Sequence, residues 1–482
     1  MASKSSIRAR LLRCRQVASA RNEADLLEKS RELTGIIFDS RGSISEDVLL
    51  KRIADLESAL DISYDPGMAD HENRAKDEPL SDLMSGVAKI DITPPPGMEA
   101  VGHARIMTGL RDNLHAGVIY FENDDAQILF VTLDLCGVLH REAQAIRAAI
   151  HNSTAIPEDH ILVAATHNHS GPMLLRDDAY GKEVIRKIAA AASEAVSAAK
   201  EVTLSYGQDS IDFVINRRLI KSDGSVGGPD PNGIVDDRVR VIQISSLTED
   251  MPVALLITAA CHATFFIYKS PDVSADYPGQ AIRYLDDIHQ QRTMSFFFQG
   301  CCGDTRPMLM GEDGQLDNAD EGDIRWGGMN LAGAVLKAIS PLNRRVVRNA
   351  CDSHYPISVL RKEALLPARI YQPEFIENQS VVQDVDGKPY IRFDIQAIRI
   401  GRFIFLGIPG EAFSEYAEKI ESMSPGGMRI IIVNYANGYL GYIPTAQAYE
   451  VMGYEPSSSP LRPEAEQVLL REIKEMIAEV VR

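Results

Sequence analysis

The hydrophobic pattern changes character near residue 85. Before it, apolar residues recur three and four apart, as in residues 24–33 and 48–60. That period puts them on one stripe of an amphipathic helix. Ser45 and Asp47, just ahead of the second run, supply a helix start. The polar stretch 65–79 then has the composition of a linker. Helices this short are marginal alone, so they are expected to pack on the rest of the chain or on a second copy of it. The division that follows is a helical extension with linker over residues 1–80 and one large domain over residues 81–482.

From Gly86 onward, short apolar runs alternate with helical ones. Strands are predicted at 118–121, 127–133, 161–165, 203–206, 239–244, 253–259, 295–299, 395–400, 403–408 and 430–433. Helices are predicted at 142–151, 184–200, 279–287, 329–339, 411–422 and 463–481. Several strand runs are apolar throughout instead of alternating, which suits strands covered on both faces. No repeat period and no second linker divides this part. The expected fold class is α/β, with mixed β-sheets flanked by helices.

Composition narrows the function. With 50 Lys and Arg against 68 Asp and Glu, the formal charge is −18, which argues against a nucleic-acid partner. No apolar run reaches the length of a membrane span. The start, residues 1–21, is basic but lacks the apolar core of a secretory signal, and Glu23, Asp25 and Glu28 follow it. A cytoplasmic location is expected. The six cysteines show no CxxC spacing. Buried reduced thiols are the favoured state, and a catalytic thiol at the Cys301-Cys302 pair is the alternative.

The chemistry gathers on loops that follow strands. Residues 161–165 end at Thr166-His-Asn-His-Ser-Gly-Pro172, where His167 and His169 can aim imidazoles at one point. The bland alternative is a solvated polar turn. His262 follows the strand at 253–259, Glu411 follows 403–408, and Tyr442 lies on the loop after 430–433. Singly, these are a core histidine, a carboxylate at a helix N-terminus and a loop aromatic. Loops at the carboxyl ends of several strands meet in one pocket in open α/β sheets. Two His and one Glu are a common zinc set with room left for water or substrate.

In order along the chain, Gly86-Val-Ala-Lys-Ile-Asp-Ile-Thr-Pro94, Val131-Thr-Leu-Asp-Leu135, Thr166–Pro172, Asn216-Arg-Arg218, Ala260-Cys-His-Ala-Thr264, Gly303-Asp304 with Pro307, Pro409-Gly-Glu411, Tyr442-Ile-Pro-Thr445 and Tyr454-Glu455 resemble the catalytic domain of the neutral (alkaline, non-lysosomal) ceramidase family. The resemblance covers about four-fifths of the chain and implies a zinc hydrolase of amide bonds. It implies zinc ligands at His167, His262, Glu411 and Tyr442. His169 is then expected beside the substrate carbonyl and Tyr454 facing substrate, with Asp304 on the catalytic loop.

This chain departs from that pattern at telling places. The family's nucleophilic serine sits in a Gly-Asp-x-Ser-Pro loop, and Arg306 stands there in Gly303-Asp-Thr-Arg-Pro307. The family's Gly-Ile/Val-His motif reads Gly109-Leu110-Arg111. No counterpart of the family's C-terminal immunoglobulin-like domain is expected after the last helix. Arginine is neither base nor nucleophile at neutral pH, but it binds carboxylates with two parallel bonds. The expectation is zinc-activated water cleaving an amide in a small polar or anionic substrate and not ceramide. Arg306, Arg111 and Tyr454 would bind that substrate, and Thr305 would be the remaining hydroxyl on the loop. The alternatives are a zinc-dependent lyase or glycan-active enzyme on the same loops, and a non-catalytic binding protein.

Overall fold

The computed structural model describes residues 29, 51–56, 82–101, 105–175, 178–246, 249, 251–265, 271–309, 320–342, 354–369, 381–385 and 387–482. Of the expected N-terminal extension, residues 51–56 are helical with Ile53 and Leu56 buried. Lys29 is also helical and exposed, and the remainder of that extension, the linker at 65–79 included, lies outside the described residues.

Thirteen strands build two sheets. The first contains β1 (Met84–Asp91), β2 (His115–Glu122), β3 (Gln127–Leu133), β4 (Ile161–Ala165), β5 (Lys200–Ser210), β6 (Arg238–Ser246), β7 (Pro252–Ala259) and β8 (Met294–Gln299), in the order β8-β7-β6-β5-β1-β2-β3-β4. The β3–β4 and β7–β8 pairs are parallel and the other neighbours antiparallel. β1 pairs with β2 from Met84↔Glu122 to Asp91↔His115, but with β5 only at Met84↔Glu201 and Ser85↔Lys200. The sheet therefore splays into two halves. Farther along they meet again, where Thr132 Oγ1 donates to the Phe297 carbonyl at 2.6 Å.

The second sheet contains β9 (Ile357–Pro367), β10 (Val381–Val385), β11 (Lys388–Ile400), β12 (Phe403–Ile408) and β13 (Arg429–Asn434). Its order is β9-β11-β12-β13, with β10 also paired to β11 and β12–β13 parallel. Among the described residues, six helices of seven residues or more cover the outside: α1 (His140–Thr154), α2 (Ala179–Ser197), α3 (Asp276–Ile288), α4 (Glu321–Ile339), α5 (Glu415–Glu421) and α6 (Ala465–Val480). Among the described residues, no helix is long and apolar enough to cross a membrane.

Apolar periodicity explains the layers. Ile146 and Ile150 of α1 and Val184 and Ile188 of α2 pack on Val118, Val131 and Val163. Leu331 and Val335 of α4 join Tyr277 and Leu285 of α3 against Val241 and Ile257. On the other side, Leu469, Ile473 and Ile477 of α6 pack on Phe393, Ile395 and Leu406. Between the sheets lie Phe130, Leu162 and Phe298 against Ile398, Phe405 and Val433, with the Phe130 and Phe405 rings 4.8 Å apart. The result is a helix–sheet–sheet–helix sandwich, so central strands are buried on both faces and read as continuous apolar runs.

Three strands lack such runs and were not expected: β1, β9 and β10. β9 carries Arg361, Lys362 and Glu363 along a sheet edge, where polar side chains are the rule. Helix α5 begins at Glu415, four residues later than the sequence suggested, because Glu411–Ala412 forms a short parallel strand with Tyr442–Ile443.

Candidate metal centre

The loop after β4 is shaped by its backbone. Thr166 N donates to the Leu133 carbonyl at 2.9 Å and Asn168 N to that of Leu135 at 3.1 Å, so the chain stays tied to the end of β3. His167 takes a left-handed φ of 63°, an uncommon conformation for a residue with a Cβ and one that concentrates at functional sites. Asn168 Oδ1 accepts the Ser170 N–H at 2.8 Å and closes the turn. Tyr435 (φ 56°) and Asn437 (φ 65°), on the loop after β13, are left-handed too. Strain thus gathers on the two loops that face each other.

His167, His262 and Glu411 are buried, and their donor atoms all lie within 4.8 Å of one another. Glu411 Oε2 is 3.0 Å from His262 Nε2 and 3.4 Å from His167 Nε2. Each histidine spends its other nitrogen on a backbone carbonyl. His167 Nδ1 donates to Cys136 O at 2.8 Å, and His262 Nδ1 to Cys302 O at 2.7 Å. An imidazole that donates from Nδ1 carries, when neutral, a lone pair on Nε2. With both rings neutral, two such lone pairs and a carboxylate would face one another. That arrangement fits a divalent cation with an N,N,O donor set, and carbonyl-held histidines are the usual support of metal ligands.

Without a cation the electrostatics separates the two imidazoles, and His167 keeps a proton that a bound cation would displace. Burial and the Arg217 guanidinium push His262 down to about 4. Burial opposes charge on His167 as well, but the Cys136 thiol and the Glu411 carboxylate outweigh it and hold it up at about 10. Burial resists ionisation of Glu411, yet His167 and His262 keep it well below the usual carboxylate range. One carboxylate is left to balance two imidazoles and a neighbouring guanidinium, a task that divides the pair.

Around this core the structure places the other expected residues. His169 Nε2 lies 3.0 Å from His167 Nε2 and is half-buried. Tyr442 pairs with Glu411 through the short parallel strand, and its hydroxyl accepts from Arg217 Nη2 at 3.1 Å. Tyr454, 67% exposed, sets its ring 5.6 Å from that of Tyr442. Asp304 stands behind the site: Oδ1 accepts Ser414 N and Oγ, both at 2.8 Å, and Oδ2 accepts Asn216 Nδ2 at 2.9 Å. Thr305 is buried, with its hydroxyl donating back to Cys302 O at 3.2 Å. Arg306 lies on the Thr305–Pro307 strand opposite Ile215, and its charge reaches the Cys261 thiol beside His262. Arg111, expected at the same site, instead lines a different cavity and grips Glu321 with Nε at 2.7 Å and Nη2 at 3.0 Å, at the N-terminus of α4. Cys136, Cys261, Cys301 and Cys302 are buried free thiols; Cys14 and Cys351 lie outside the described residues.

Four further residues belong to the site. Tyr439 donates to Glu411 Oε1 at 2.5 Å. The Tyr435 ring stacks on His167 at 4.0 Å. Cys136 Sγ sits 3.7 Å from His167 Nδ1 and 3.9 Å from His169 Nε2. Arg217 is a half-buried cation bonded to Glu455 Oε1 (2.8 Å), the Gly303 carbonyl (2.9 Å) and Tyr442. Arg217 falls inside the Asn216-Arg-Arg218 motif and Tyr439 on the loop that carries Tyr442, but their spacing alone does not say that they face the histidines.

No family model matches the chain. Among curated proteins it is similar to neutral ceramidase 1 of Arabidopsis thaliana, 26% identical over 157 residues, a stretch that is 28% of this chain and 18% of that protein. The match thus spans less than a fifth of the plant relative. Among solved structures, the neutral ceramidase of Pseudomonas aeruginosa superposes with a TM-score of 0.68 over 83% of this chain and 75% of that one, at 17% identity. The fold is that of neutral ceramidase. A ceramidase complexed with C2 gives a TM-score of 0.65 at 16% identity, with the same coverage. The ceramidase likeness confirms the expected α/β architecture of mixed, helix-flanked sheets.

Proposed function

We propose that this chain is a zinc-dependent hydrolase that cleaves an amide bond in a small polar or anionic substrate. The observation that carries the reading is the pair of carbonyl-held histidines turning Nε2 toward Glu411. Zinc held by His167, His262 and Glu411, with Tyr442 beside them, would supply Lewis-acid polarisation of the scissile carbonyl and acidification of water.

The chain's own residues do the rest. Tyr439 fixes the Glu411 carboxylate from behind and so keeps Oε2 aimed at the imidazoles. His169, beside His167, hydrogen-bonds the carbonyl oxygen as negative charge develops on it. Arg306 offers a planar guanidinium to the anionic end of the substrate. Tyr454, exposed beside Tyr442, packs on the substrate at the mouth. Asp304 acts as a positioning residue, since it locks Ser414 and Asn216 and with them the loops that carry Glu411 and Arg217.

The test combines metal content with kinetics on a panel of N-acyl amino acids. His167→Ala and His262→Ala should each weaken zinc binding by at least about a hundredfold, because losing one fixed donor leaves too few to replace the hydration shell. Arg306→Ala should retain zinc and raise KM by about tenfold or more for anionic substrates, with kcat less affected. Wild-type zinc content in both histidine variants would remove the metal centre. Unchanged KM in Arg306→Ala, or efficient turnover of long-chain ceramide by the wild type, would remove the substrate assignment.

A further inference from the structure

A second cavity, of about 420 Å³, opens between β2, β3, β8 and α3. His167, His169, His262, Glu411 and Tyr442 are not among its lining residues. It lies where the two halves of the first sheet splay apart, with Thr166 on its wall.

The charges on its inner walls are already matched, and Arg283 at the solvent-exposed mouth bonds a neutral group. Lys89 Nζ is 2.5 Å from Asp286 Oδ2, and the other Asp286 oxygen accepts Ser295 N at 2.9 Å. Arg111 is held by Glu321 and Asp112. Asp134 Oδ2 accepts the His115 N–H at 2.9 Å. Arg283, exposed at the mouth, bonds Gln280. Two lining hydroxyls stand apart. Those of Ser295 and Thr166 are buried and have no hydrogen-bond partner among the described residues. Such a group is costly to leave incomplete, and native structures seldom do so without a ligand or solvent to complete it.

Matched charges decide what kind of ligand fits. An ionic ligand would need an unspent counter-charge, and would have to break the Lys89–Asp286 pair to obtain one. A hydroxyl group can accept from the ammonium and donate to the carboxylate while leaving the pair intact. Burial, more than any neighbour, holds the Asp134 carboxyl up at about 7, so it can donate or accept near neutral pH. The Phe296 ring, 5.7 Å from Lys89 Nζ, gives the apolar face that C–H-rich rings pack against. We infer that this cavity binds a small neutral polyol or monosaccharide, one hydroxyl of which completes Ser295. The inference is independent of the metal-centre reading.

The experiment titrates the full-length chain with myo-inositol and D-glucose by calorimetry and ligand-observed NMR. Acetate and methylammonium serve as charged probes. At least one of the two polyols should bind, and Ser295→Ala should weaken that binding about tenfold. Ser295→Ala removes an unpartnered hydroxyl and should fold at least as well as the wild type. Ile282→Trp adds bulk on the half-buried outer face of α3 at the cavity wall and should abolish polyol binding. The inference is overturned if neither polyol binds, or if polyol binding ignores both substitutions. It is also overturned if acetate or methylammonium binds in a way that Ile282→Trp abolishes.

Discussion

Tyr439 shows how much of the proposed metal site would lie in residues that never touch the metal. Its hydroxyl holds Glu411 Oε1 at 2.5 Å, so the carboxylate presents its other oxygen to the histidines. Tyr439→Phe should leave the fold intact and lower zinc affinity about tenfold to a hundredfold, measured by competition with a chromophoric chelator. An unchanged affinity would make the contact incidental. Asp134 gives a second residue-scale prediction. Its pKa is raised by burial from the ordinary 3.8 to about 7, so between those values the folded state holds a proton that the unfolded state has released. Stability therefore falls as pH rises through that window, and the full penalty is present above it. Asp134→Asn should stabilise the protein by about 1–3 kcal/mol at pH 8, with the gain shrinking below pH 7 and gone near pH 4. A gain that does not vary between pH 4 and pH 8 would contradict the burial argument. His167, His262 and Glu411 were legible in the sequence because few residue types can bind zinc and each follows an apolar strand. Tyr439, Arg217 and Cys136 were not, because their part depends on which way a loop side chain turns.

At the scale of elements, the site depends on a two-residue strand. Glu411–Ala412 runs parallel to Tyr442–Ile443, which brings one proposed ligand alongside another. Sequence periodicity assigned residues 411–414 to a helix, since an acidic residue ahead of an apolar stripe looks like a helix start. A pairing this short, between segments thirty residues apart, leaves no periodic signal. Gly303 shows how tightly the strand is enclosed: a Cβ there would lie 2.3 Å from the Glu411 carbonyl oxygen and 3.0 Å from its carbon. Because both are backbone atoms, the strand itself would have to move. Gly303→Ala should cost about 1–3 kcal/mol and weaken zinc binding as well. Gly333→Ala, in α4 with open space around its Cβ, should instead be neutral or stabilising by up to about 1 kcal/mol. Chemical denaturation with metal titration checks both variants. Equal behaviour would mean that the Gly303 contact does not position Glu411.

Over the whole molecule, the two sheets are joined by their shared apolar layer and by a buried tyrosine. The layer was legible, because strands covered on both faces read as unbroken apolar runs. The edge strand β9, and with it the approach to the second sheet, was not, because its residues alternate with charges. Tyr355 stands at that approach, just ahead of β9. Its backbone N–H donates to Asp82 Oδ1 at 2.8 Å, and its carbonyl accepts from Asn123 Nδ2 at 2.7 Å. Its hydroxyl accepts the Leu204 N–H of β5 at 2.9 Å. One residue thus ties the start of β1, the β2–β3 turn and β5 to the second sheet. Tyr355→Phe keeps the ring and both backbone bonds and removes the hydroxyl that accepts from Leu204, leaving that buried N–H without its acceptor. The expected cost is about 1–3 kcal/mol. Calorimetry should show the variant melting at a lower temperature. It should still melt in one transition, because Phe130, Leu162, Phe405 and Val433 continue to bind the sheets face to face. Zinc content should not change, since the tyrosine bonds none of the proposed ligands. Two resolved transitions in the variant would mean that the hydroxyl, and not the apolar layer, makes the sheets one cooperative unit.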